Sequence, residues 1–223
     1  MKRWIIISFI VMLSSVAGYL YVKNEQLNEE LRISQEMEEM QQFYAKHPMQ
    51  GDIAGDYNTW INSKHLSEKL YEDSEGAFKK EWGLFLGEMA QKRDIDPYII
   101  YELLRTESGF DPNAVGPETR FGRAYGMAQF MTNTAPWIAE MAELPYEEKL
   151  LFDPLYSIQL SVEYVNYLYN KYQDWDKALT AYNRGMYGLE NYMEEYGHAE
   201  SLYAVEIQEN AKNSKQMSGA TAS

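Results

Sequence analysis

Asp96-Pro97-Tyr98-Ile99-Ile100-Tyr101-Glu102-Leu103-Leu104-Arg105-Thr106-Glu107-Ser108-Gly109 reads as one helix with both ends marked. Asp96 is an acidic N-cap, and Pro97 suits the first turn, where a missing N–H costs the helix nothing. Ile100, Leu103 and Leu104 recur at i, i+3 and i+4 and define an apolar face. The next position on that face, i+7, is Glu107. Gly109 then breaks the helix. A carboxylate therefore stands in a core-facing slot at a helix C-terminus, where burial and the negative end of the dipole both disfavour its ionised form. The position predicts a raised pKa, the property that lets a general acid hold its proton near neutral pH. Position alone equally allows Glu107 to pair with Arg105 or Arg123, or to be exposed because the helix has ended.

Outward from this segment the periodicity stays helical and strand signals are scarce. It predicts helices near 78–92, 126–142, 154–173, 176–184 and 199–212, with a short one near 187–195, and hence an all-α domain. Asp153-Pro154 repeats the acidic cap and proline start. The long irregular stretch between Gly109 and Gly126 also holds Pro112, Gly116, Pro117 and Gly122, so it reads as a loop whose backbone approaches a ligand closely. With 223 residues, the chain fits one domain and an appendage. A net charge of −14, from 34 acidic and 20 basic residues, removes the basic footprint that nucleic-acid binding requires. Cysteine is absent, and His47, His65 and His198 lie far apart, so neither a thiolate site nor a histidine metal centre is expected.

The appendage is N-terminal. Trp4 to Val22 is a run of nineteen residues without charge, behind Lys2 and Arg3 and ahead of Lys23. As a helix it would span about 28 Å, close to a bilayer's hydrocarbon thickness. The basic flank predicts an N-terminus inside a bacterial cell and the remainder outside, as a single-pass membrane anchor over 1–23. Ser15-Val16-Ala17 also offers a signal-peptide cleavage site, which would leave the protein secreted. Residues 24–46 are rich in Glu, Gln and Met, with Ile33, Met37, Met40 and Tyr44 on one helical stripe. They read as a solvated stalk, with self-association through the stripe as the alternative. His47-Pro48 ends it, and 51–55 is a joint. A short helix near Ser63 to Tyr71 leads into a domain over 78–212, and a disordered tail is expected over 213–223.

Three blocks carry a resemblance. Glu107-Ser108-Gly109-Phe110-Asp111-Pro112-Asn113-Ala114, then Gly126-Met127-Ala128-Gln129-Phe130-Met131, then Ala181-Tyr182-Asn183-Arg184-Gly185, resemble in that order the SLT-type lytic transglycosylases and their goose-type lysozyme relatives. Phe152-Asp153-Pro154 and Asp176-Lys177-Ala178-Leu179 resemble the same family, and Tyr203-Ala204-Val205 does so more weakly. The resemblance implies a lysozyme-like helical fold, with peptidoglycan glycan strands as the partner and no metal or cofactor. The reaction implied is cleavage of the β-1,4 bond between N-acetylmuramic acid and N-acetylglucosamine. By the same resemblance Glu107 matches the single catalytic acid/base, Gln129 and Met131 match groove residues, and Tyr182 and Asn183 match a pair opposite the glutamate. Each has a structural alternative: Gln129 capping a turn, Met131 in the core, Asn183 in a helix C-cap, and Tyr182 packing while its hydroxyl bonds.

Two departures stand out. Gly116 replaces the family's usual serine, and Gln129 lies 22 residues beyond Glu107, with extra residues that include Arg120 and Arg123. Those arginines would either meet a peptide-stem carboxylate or lie in solvent. Thr132 also replaces a frequent proline. Most glycosidases use two carboxylates. Here Asp111 is the obvious second, and its place before Pro112 also suits a turn. With Glu107 alone, the resemblance implies a 1,6-anhydromuramoyl product formed without water. A hydrolytic muramidase and a non-catalytic wall-binding or assembly protein are the competing readings.

Overall fold

Ser63 and Ser67 on one helix meet Gly87 and Gly83 on the next so closely that a methyl group on either glycine would lie within 3 Å of them. These contacts belong to a computed structural model that describes residues 2–47 and 56–220, in two units, Met1–Ala54 and Gly55–Ser223. In the first unit, α1 runs from Lys2 to Lys46, and none of its described residues is buried. Arg32 pairs with Glu29 at 2.6 Å on its surface. The membrane-crossing segment expected at 4–22 rests partly on Ile5, Ile6, Ile10 and Val11, whose side chains lie outside the described residues. Among the described residues no helix is long and apolar enough to cross a membrane. The joint expected at 51–55 also lies outside them.

The second unit begins earlier than the sequence predicts. α2 spans Tyr57–Asp73, capped by Asp56, whose carboxylate accepts from the Asn58 and Thr59 amides. It buries Thr59, Trp60, Ser63, Ser67 and Leu70 against α3, Lys80–Lys92. The expected linker therefore ends near residue 56, and α2 is part of the domain. Its buried stripe is mostly serine and threonine, which hydropathy does not score as core. The glycines of α3 let the two backbones touch.

α4, Pro97–Ser108, is the central helix, with Ile100, Tyr101, Leu103 and Leu104 fully buried. Phe78, Tyr101 and Phe110 interlock with ring centroids 4.9–5.2 Å apart, which pins the chain just beyond Gly109. The helix expected over 126–142 is not there. Ala124–Tyr125 (β1) and Phe130–Met131 (β2) form an antiparallel hairpin, and only Ala135–Met141 (α5) is helical. Gly126 (φ 75°) and Gln129 (φ 51°) adopt left-handed backbone that no α-helix accepts. A 3-10 turn, Glu148–Phe152, leads to α6, Pro154–Tyr172, capped by Asp153 as expected.

α7, Trp175–Tyr196, breaks at Gly185 (φ 75°, ψ 162°), which separates the two helices predicted at 176–184 and 187–195. α8 runs from Leu202 to Ala220. The tail predicted to be disordered from 213 is thus helical through 220, and residues 221–223 lie outside the described chain. Ala204, Ile207, Ala211 and Ser214 form its buried stripe at helical spacing. Three of the four are small, so the pattern is faint in sequence.

Trp60 and Leu70 are 2% and 1% exposed. A chain beginning at Asp56 should unfold in one cooperative urea transition. One beginning at Phe78 should lose about 3–6 kcal/mol through these two side chains. Equal midpoints for the two chains would show that α2 is dispensable.

Candidate active site

Glu107 occupies the last turn of α4. Gly109, in left-handed conformation (φ 63°), closes the helix by donating its N–H to the Arg105 carbonyl. Both arginines expected as partners of Glu107 are engaged elsewhere. Arg105 bonds Asp73 and lies 3.3 Å from Glu102, and Arg123 donates to Glu118 at 2.7 Å. Glu107 makes no ion pair among the described residues. Its partner is Tyr203 at the start of α8, whose hydroxyl donates to Oε1 at 2.5 Å. Burial pushes the Glu107 pKa up to about 7, against the smaller opposing effect of the Tyr203 hydrogen bond.

The hairpin is held from three sides. Ser108 Oγ donates to the Met127 carbonyl at 2.8 Å, so the residue after Glu107 holds the loop. Tyr182 on α7 donates its hydroxyl to the Ala128 carbonyl at 3.2 Å and approaches Ser161 Oγ at 3.4 Å. Gly126 packs on the Leu151 carbonyl so tightly that a Cβ would fall 1.7 Å from that oxygen. Only glycine fits there. Tyr182 is held well above the ordinary phenol range, first by burial and then by the charge of Glu107. Burial and Glu107 do the same to Tyr203. Both hydroxyls thus stay protonated donors.

Gln129 has a local role in the geometry. Its Nε2 donates to Gly126 O at 2.9 Å and Ala114 O at 3.3 Å, stapling the hairpin turn to the preceding loop. Its Oε1 lies 2.9 Å from where a Cβ on Gly116 would stand, so the departure from serine at 116 makes room for this amide. Met131 pairs with Ala124 across the hairpin and is half-buried. Asn183 is exposed, one position beyond Tyr182. Of the residues expected in the site, Tyr182 feels the charge of Glu107 and bonds the Ala128 carbonyl ahead of Gln129, whereas no described contact joins Gln129, Met131 or Asn183 to Glu107.

Asp111 accepts from the Asn113 amide at 2.9 Å, the turn expected of it. Arg120 lies over the Phe121 ring at 4.6 Å. The residue that sequence reading left out of the site is Tyr203. Its only signal was the weak Tyr203-Ala204-Val205 block, because 96 residues separate it from its partner.

The transglycosylase SLT domain matches residues 85–205, more than half of the chain, and the chain belongs to this family. Its fold is similar to that of the lytic transglycosylase Slt from Pseudomonas aeruginosa, solved as an inactive mutant. The TM-score is 0.53 and the identity 16%, over 81% of this chain and 35% of that one. The chain therefore spans about a third of the length of that enzyme. No curated protein matches it.

Folding raises the Glu107 pKa from 4.5 to about 7. The folded domain keeps a proton that the unfolded chain releases, so Glu107 costs stability progressively as the pH rises through that window. Above it the full cost, about 2 kcal/mol for a half-buried group, is present. Glu107→Gln should therefore raise Tm relative to the native chain above about pH 7, with the gain shrinking toward pH 4.5. Paired thermal scans across that range check it, and a gain that grows toward acid would contradict the shift.

Proposed function

We propose that the protein is a peptidoglycan lytic transglycosylase with Glu107 as its acid and base. The observation that carries this reading is one carboxyl group titrating near neutrality, with two protonated tyrosines acting on or sensing it and, among the described residues, no second carboxylate shifting it. A glycosidase that uses a carboxylate nucleophile or base needs a second member, and Asp111, the other candidate in the sequence, is engaged in a turn with the Asn113 amide. In the reaction, protonated Glu107 donates to the glycosidic oxygen, and the C1–O4 bond between N-acetylmuramic acid and N-acetylglucosamine breaks. The substrate's N-acetyl group stabilises the charge at C1. The muramic 6-hydroxyl then attacks C1 and returns its proton to Glu107, leaving a 1,6-anhydro end with no water consumed. A pKa of about 7 suits both halves, since the group must give a proton and then take one.

Tyr203 keeps Glu107 from being protonated too tightly to donate. Gln129, Met131, Tyr182 and Asn183 are proposed to line the glycan groove, with Asn183 the exposed member that reaches substrate directly. We further propose that Trp4 to Val22 anchors the enzyme as a single-pass bacterial membrane protein with its domain on the wall side. The uncharged run behind Lys2 and Arg3 supports this, as do the exposed Phe9, Met12, Leu13 and Leu20. The full chain should then pellet with membranes and keep Met1, whereas a mature N-terminus at Gly18 would mean secretion.

Glu107→Gln keeps the shape and one accepting oxygen but removes the transferable proton, so cleavage of purified peptidoglycan should fall by about 10²–10⁴ while the fold survives. Mass spectrometry should find anhydromuropeptides from the native enzyme, each lighter by one water than a hydrolysis product. Reducing ends in their place would make it a hydrolytic muramidase. Inertness of the native chain on peptidoglycan from several sources would favour a wall-binding protein.

A further inference from the structure

Glu102 is another buried carboxylate, and the reaction has no use for it. It sits on α4 with 0% exposure, five residues before Glu107 and on another face of the helix. Its Oε1 accepts from Ser214 Oγ at 2.9 Å and lies 3.3 Å from Arg105, while Oε2 is buried with no hydrogen-bond partner. An acid so placed is expensive for the fold, and an apolar residue of the same size would pack at less cost. What the carboxylate adds is direction. Ser214 lies on α8, whose other buried residues against the core, Ala204, Ile207 and Ala211, are smooth and mostly small. Such a face resists sliding poorly, whereas a buried hydrogen bond fixes one register.

The two helices run antiparallel. Tyr203 of α8 meets Glu107 at the C-terminal end of α4, Ser214 meets Glu102 in the middle, and Lys215 bonds Asp96 at the N-terminal end at 2.6 Å. Tyr203 and Ser214 are eleven residues apart, three turns, so they share one face of α8 about 16 Å apart. Thr180 holds the chain ahead of α8 through the Ala199 carbonyl and Ser201, both at 2.7 Å, and Gln208 donates to Asp176 of α7 at 2.7 Å, which leaves the half of α8 beyond Gln208 to be held by Ser214 and Lys215. A register error of one residue shifts a side chain by about 1.5 Å and 100°. That would break a 2.5 Å bond.

We propose that the C-terminal half of α8 is a clamp, with Ser214 and Lys215 as positioning residues that hold the Tyr203 hydroxyl on Glu107. The proposal rests on Glu107 being the acid. The clamp lies beyond residue 205, outside the stretch that matches the family model. The groups facing Glu107 are Tyr203 from α8 and Tyr182 from α7. Those facing Glu102 are Arg105 on its own helix, Asp73 from α2 and Ser214 from α8. The Tyr203 hydrogen bond favours ionised Glu107. Loosening the clamp therefore lets the Glu107 titration drift upward.

The test follows the Glu107 side-chain carboxyl by 13C NMR across pH in the full-length chain, held in detergent micelles. Ser214→Ala combined with Lys215→Ala cuts both bonds with the residue best tolerated in a helix. The Glu107 midpoint should move to higher pH, by roughly half a unit, in the direction of Tyr203→Phe. Ser214→Thr, which keeps the hydroxyl, should stay at the native value. In a Tyr203→Phe background the double change should add nothing, because its effect passes through that hydroxyl. A native midpoint in the double variant, or an equal shift with and without Tyr203, would overturn the clamp. The readout is a proton and not a cleavage, so an enzyme inert on peptidoglycan would count against the proposed reaction and leave this result standing.

Discussion

Burial of the Glu107 carboxyl at the end of α4 is the constraint around which the rest of the domain is arranged. The helix has to be deep in the core for the Glu107 carboxyl to be largely desolvated, and Ile100, Tyr101, Leu103 and Leu104 put it there. It also stops directly after Ser108, so that the chain turns away from α4 beside the carboxyl. Gly109 stops it, and the interlocked rings of Phe78, Tyr101 and Phe110 hold the chain that leaves. The energy gained by those apolar side chains, about 1.5–3 kcal/mol each, far exceeds what one half-buried acid costs.

The hairpin of β1 and β2 is where separate parts of the chain converge on that acid. Met127 receives Ser108 from α4, Ala128 receives Tyr182 from α7, and Gly126 lies against the Leu151 carbonyl, which Ser157 of α6 also holds. A segment with little secondary structure of its own is thereby fixed by polar bonds to its carbonyls. These bonds leave its left-handed residues no freedom to relax into a helix.

Electrostatically the site is quiet for a chain of net charge −14. The cations near α4 are taken by Asp73, Glu102 and Glu118, and the groups that touch or sense Glu107 are uncharged phenols. Burial can therefore set the proton affinity of Glu107 with only hydrogen bonding against it. A nearby arginine would have held the carboxyl ionised and removed its capacity to donate.

The sequence by itself determined the helices that carry their own start and stop signals. Asp96-Pro97 and Asp153-Pro154 open α4 and α6, Gly109 closes α4, and Gly185 splits α7, because caps and left-handed glycines act over one turn of chain. The same local logic put Glu107 on the buried face, and the block resemblance named Tyr182 and Gln129. Tertiary structure decided everything that rests on distant partners. The hairpin replaced a helix because Gly126 and Gln129 take positive φ against a carbonyl 25 residues ahead of Gly126. α2 and the end of α8 joined the core through serine, alanine and glycine, whose burial depends on a matching surface and leaves no hydropathy signal. Tyr203 reached Glu107 across 96 residues. No periodicity in either helix could announce that bond, since it exists only once α8 lies along α4.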